Sequence, residues 1–67
     1  MNHIPRNFNH LLVETVTHGN VGLNHRLIVM KDEFGRYIGT DMQTEKEWAI
    51  SLNVLRNDNF FKIIDIG

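Results

Sequence analysis

The sequence predicts a small single α+β domain: a three-stranded antiparallel meander, one helix, then a fourth strand (β-β-β-α-β). Three observations carry this. Two β-rich runs, residues 10–17 and 23–31, flank the loop His18-Gly19-Asn20-Val21-Gly22. The turn Asp32-Glu33-Phe34-Gly35 leads at once into a third short run. Residues 44–66 then join a helical hydrophobic period to the most apolar stretch of the chain.

Residues 1–9 are polar, contain the only proline, Pro5, and show no periodicity, so a flexible N-terminal arm is expected there. Ile4 and Phe8 are its docking residues if it folds back. The single domain is placed at residues 10–67. A chain of 67 residues buries only about 60% of its unfolded surface, so its stability is expected to be modest.

Register in the first hairpin follows from side-chain chemistry. With Gly19 to Val21 as the loop, Leu11 faces Val29, Leu12 faces Ile28, Val13 faces Leu27 and Glu14 faces Arg26. Apolar residues then meet apolar ones and the acid meets a base. In the next turn, Asp32 suits the first position of a type I turn and Gly35 the left-handed position of a short hairpin loop. Residues 36–40 return alongside residues 27–31.

The helix is expected to begin at Thr44. Thr44 and Glu47 have capping-box spacing, and Glu45 and Glu47 place negative charge at the positive end of the dipole. Trp48, Leu52 and Leu55 recur at i, i+4 and i+7, with Ala49 at the margin, which makes them the buried stripe. Asn57-Asp58-Asn59 ends the helix. In residues 60–66 apolar side chains fall on both faces, so this strand is expected to be central or covered on both sides. Its neighbour in the sheet is left open.

Composition narrows function mainly by exclusion. With no cysteine there is no disulfide framework or thiolate metal site, and a reducing, cytoplasmic setting is expected. No apolar run of membrane-spanning length or basic-then-apolar leader is present, so no membrane partner is expected. His3, His10, His18 and His25 are spaced by seven, eight and seven residues. In the expected register His10 and the partner of His25 lie about 17 Å apart along the strand, too far for shared metal ligation. The single serine, Ser51, has no histidine near it in sequence, and the glycines are scattered among turns. No phosphate-cradling loop is formed. The expectation is therefore a protein that is not an enzyme and holds no metal or cofactor.

Two binding readings are left. Residues 23–56, a meander followed by a helix beginning Thr44-Glu45-Lys46-Glu47-Trp48-Ala49, resemble the arm-binding domains of phage and transposon integrases. The resemblance implies nucleic-acid binding by the sheet face, with Arg26, Lys31 and Arg36 as the available cations. A net charge of −1 and the extra final strand depart from that pattern, so nucleic acid is the less expected partner. The preferred reading is a small non-enzymatic protein-binding modulator, of the kind phages and mobile elements use to inhibit a host protein. Ile50 and Val54 lie opposite the expected core stripe. Flanked by Glu47, Ser51 and Asn53, they are the candidate interface, either with a partner protein of unknown identity or in a homodimer.

Overall fold

Hydrophobic alternation in the first hairpin sets the frame of the molecule. The computed structural model describes residues 1–67. Strands β1 (Leu11–Thr15) and β2 (Arg26–Lys31) pair antiparallel with Leu11 opposite Val29, Leu12 opposite Ile28, Val13 opposite Leu27 and Glu14 opposite Arg26, the register expected from the side chains. Because side chains alternate along a strand, Leu11, Val13, Leu27 and Val29 share one face, and all four are fully buried.

The turn after β2 also follows its sequence. The Asp32 carboxylate accepts from the amides of Phe34 (2.9 Å) and Arg36 (2.8 Å), and Gly35 takes a left-handed φ of 81°. Strand β3 (Tyr37–Asp41) returns along β2 with Leu27 opposite Asp41 and Lys31 opposite Tyr37. Gly39 sits where a Cβ would come within 2.8 Å of Ile50 Cδ1 and 3.1 Å of Leu27 Cδ2, so glycine there lets both side chains close over the strand.

Residues 44–49 are not helical. Asp41 is the cause: its Oδ1 accepts from the Gln43 amide at 2.8 Å and the Thr44 amide at 3.3 Å. Its backbone meanwhile accepts from Glu45 N and donates to Lys46 O, both at 2.8 Å. This closes a hairpin loop in which Glu45 adopts φ 63°, a conformation costing a non-glycine residue roughly 1–2 kcal/mol. Strand β4 (Glu47–Ile50) then pairs with β3, with Trp48 opposite Gly39 and Ile50 opposite Tyr37. Trp48 and Ile50 therefore point to the core side, and Glu47 and Ala49 to the other.

Helix α1 (Leu52–Arg56) is one short element capped by Ser51, whose Oγ accepts from Val54 N at 3.3 Å. Only Leu55 of this helix is fully buried. Strand β5 (Phe61–Ile66) runs antiparallel to β1 with a bulge opposite the Leu12–Val13 step. The spatial order is β4-β3-β2-β1-β5, so the chain is broadly α+β with four strands before the helix. β5 is an edge strand and is not covered on both faces: Ile64 and Ile66 are exposed, while Phe61 reaches the core.

Residues 1–9, expected as a flexible arm, lie docked on the sheet. A helix of five residues is too small to seal the apolar face of a five-stranded sheet, and the arm supplies the remaining cover. Asn2 donates from its amide to Arg56 O (2.8 Å) and from its side chain to Phe61 O (2.7 Å) and Leu55 O (3.2 Å). The Met1 amino group pairs with Asp58. Ile4 is buried in the core, Phe8 stacks on Tyr37 with ring centres 6.0 Å apart, and Asn9 N donates to Gly67 O at 2.9 Å. No helix of the chain is long and apolar enough to cross a membrane.

Candidate functional site

The corner where β4 passes into α1 holds the largest concave surface. Ser51 turns the chain from strand to helix by capping it, which lifts Val54 to the rim of a cleft and leaves Ile50 as its floor. The turn after α1, in which Phe60 N donates to Asn57 O at 3.0 Å, brings Phe60 to the facing rim. The loop between β1 and β2 closes the third side with Val21 and its neighbouring glycines. The cleft measures about 510 Å³, and none of the residues lining it carries a charge. Val54 and Phe60 are 38% and 41% exposed, large apolar side chains left open to water.

Trp48 lines the same cleft, and its indole Nε1 is buried without a hydrogen-bond acceptor.

The loop forming the third wall is fastened by a His–Asp hydrogen bond that the residue pattern did not reveal. His25 Nδ1 lies 2.7 Å from Asp41 Oδ2, and Asp41 is almost wholly buried. Burial acts to raise the Asp41 pKa, but the hydrogen bond from His25 and those from the Gln43 and Thr44 amides outweigh it and hold the carboxyl below its ordinary value. On the same strap Thr15 Oγ1 accepts from His25 N at 2.9 Å. The His25 ring also lies against Gly22, where an added Cβ would meet Nε2 at 2.9 Å. The signal that would have placed these groups near each other is the β2–β3 register itself: Leu27 pairs with Asp41, and His25, two residues earlier on the same face, is the diagonal neighbour of Asp41. With the Thr15 hydroxyl donating to Gly22 O, the arrangement pins the loop to both strands. No three His, Asp or Glu side chains gather in metal-holding geometry.

The four residues expected at a protein interface are divided by the fold. Ile50 and Val54 do meet, but Ile50 is only 9% exposed and belongs to the core. Its place in β4 explains this: the residue faces inward by strand alternation, whereas a helical period would have turned it out. Glu47 is exposed on the opposite sheet face, beside Thr40. Asn53 borders a separate polar depression with Arg56 and Asn57. Phe60 and Val21, which complete the cleft, come from loops distant in sequence, and only tertiary structure brings them in.

The three cations of the nucleic-acid reading do not converge. Arg26 is exposed opposite Glu14 on the outer face. Lys31, five residues further along β2 and so about 17 Å away, lies on the other face, with Nζ 5.4 Å from the centre of the Tyr37 ring. Arg36 is engaged by Asp32 at 2.8 Å.

A second apolar surface lies on the outer face of the sheet. Leu12 sits opposite Ile28, and Met30 opposite Ile38, which in turn faces Ala49. The strip is bordered by charges, among them Glu14 with Lys62 at 3.8 Å. Comparison with protein-family models, curated proteins and solved structures returned no match for this chain.

Proposed function

We propose that this chain is a non-enzymatic protein-binding modulator that engages a partner protein through the cleft between β4, α1 and the β1–β2 loop. The observation that carries this reading is the charge-free concavity with Val54 and Phe60 exposed on its rims. Concave apolar surface of this kind is where binding energy is concentrated, because burying it releases water without stranding a charge. The shortage of core in so small a chain adds to the case: only 11 of 67 residues are buried, and a bound partner would extend that apolar layer.

The test is affinity capture with wild type and with a Val54→Lys/Phe60→Lys variant, both positions being exposed enough to take lysine without unfolding the domain. Circular dichroism is expected to be unchanged while the captured partner is lost. Equal capture by both proteins refutes the reading. Light scattering on the same pair reports self-association: a mass that halves in the variant identifies the partner as a second copy.

A further inference from the structure

We infer that the occupant of this cleft is an extended, uncharged segment of a partner protein, added as a strand to the open edge of β4. This rests on the protein-binding reading above and names its mode.

The two edges of the sheet are not equivalent. On β5, Val16 N donates to Phe60 O at 2.9 Å. The alternation of an antiparallel ladder then turns the Phe61 backbone outward, where the Asn2 side chain already occupies its carbonyl at 2.7 Å. The bulge opposite the Leu12–Val13 step further interrupts that edge, and bulges of this kind discourage pairing. Nothing comparable protects β4. Asp41 N donates to Lys46 O at 2.8 Å, so the same alternation makes Gly39–Trp48 and Tyr37–Ile50 the bonded pairs of that ladder. The N–H and C=O groups of Glu47 and Ala49 are left pointing away from β3.

The cleft reaches this open edge at its C-terminal half, from Trp48 to Ser51. Ala49 lines it together with Trp48 and Ile50, although strand alternation sends Ala49 to one face and the other two to the opposite one. All three border one concavity because it passes the strand's free side. A partner residue paired with Ala49 would set the side chain of its neighbour on the core side, between Val54 and Phe60. That anchor must be uncharged, since no lining residue could compensate a buried charge. A helix would leave the edge groups unused, and a nucleic acid would find no cation for its phosphates. The β4 of a second copy brings its own sheet and helix with it, whereas a single strand fits a cleft of about 510 Å³.

Selection of a random peptide library on the intact protein, followed by amide chemical-shift mapping and backbone N-methylation of a selected peptide, tests this. The expected peptides carry an uncharged apolar anchor, shift the amides of Glu47 and Ala49, and fail to bind Val54→Lys. N-methylation should weaken binding about 2- to 10-fold at alternate positions, the loss of one net hydrogen bond, and little between them. A flat methylation profile, or shifts confined to Leu12, Ile28, Met30 and Ile38, overturns strand addition. Where capture of the partner still depends on Val54 and Phe60, those same results leave the protein-binding reading standing. Capture that ignores both residues removes the two together.

Discussion

Leu27 and Ile28 are neighbours in β2 with side chains of the same size, yet Leu27 is fully buried and Ile28 is half-buried on the other face. The whole sheet repeats this contrast. Its inner face is largely covered by a short helix, an N-terminal segment and the β1–β2 loop, while its outer face meets solvent along Leu12, Ile28, Met30 and Ile38. Strand sequence alone does not separate the two, because β1 and β2 are apolar on both sides. What separates them is the material available to cover a face: one short helix, nine residues of arm and the β1–β2 loop through Val21.

The largest test of this asymmetry is a pair of substitutions. Leu27→Ala is expected to cost about 2–5 kcal/mol through lost burial and a residual cavity. Ile28→Ala, on the partly exposed outer face, should cost less, about 1–2 kcal/mol. Urea denaturation midpoints report both, and equal losses would mean that the outer face is covered in solution. The arm is tested next by Ile4→Ala, for which about 2 kcal/mol or more is expected because Ile4 is only 8% exposed. An unchanged midpoint would show that the arm adds no cover.

A smaller, pH-dependent effect belongs to the Asp41–His25 strap. The folded-state pKa of Asp41 lies below the ordinary 3.8, so its contribution is fully present above that value and is lost as pH falls through the folded one. Acid titration of wild type should therefore show a steeper fall in stability below about pH 4 than Asp41→Asn. Removing the acceptor at pH 7 with Asp41→Ala should cost about 1–3 kcal/mol, since the Gln43 and Thr44 amides and the imidazole lose their partner. Parallel titration curves would assign the acid sensitivity to other carboxylates, of which Asp32, also lowered by its bonds to Arg36 and Phe34 against the opposing effect of desolvation, is the first to examine.

The parts of the fold that could be read from sequence were those fixed by local chemistry. Glu14 against Arg26 distinguished one register from its neighbours, and Asp32 with Gly35 specified a turn. Residues 44–55 misled because two periods overlap in them. Trp48, turned inward by the strand, and Leu52 and Leu55, on the helix, happen to fall at i, i+4 and i+7, while Ile50, also turned inward by the strand, is the residue that did not fit that period. The deciding group was the Asp41 carboxylate, which takes the Gln43 and Thr44 amides and closes a hairpin before Thr44 can cap anything. The candidate site was legible in Val54 and not in Ile50, which the strand turns inward. Phe60 and Val21 reach the cleft through loop positions that no periodicity marks.

The placement of β5 beside β1 has a consequence for how the molecule forms. β1, β2, β3 and β4 can zip together through successive hairpins, each closing a short loop, but β1 gains its second neighbour only when residues 61–66 have crossed back over the finished meander. Asn2 spans Leu55 and Phe61, so the arm docks after that crossing and not before it. The β1–β5 seam is therefore the strand pairing of greatest sequence separation, and Phe61→Ala is expected to slow refolding in stopped-flow measurements more than substitutions in the hairpin turns do.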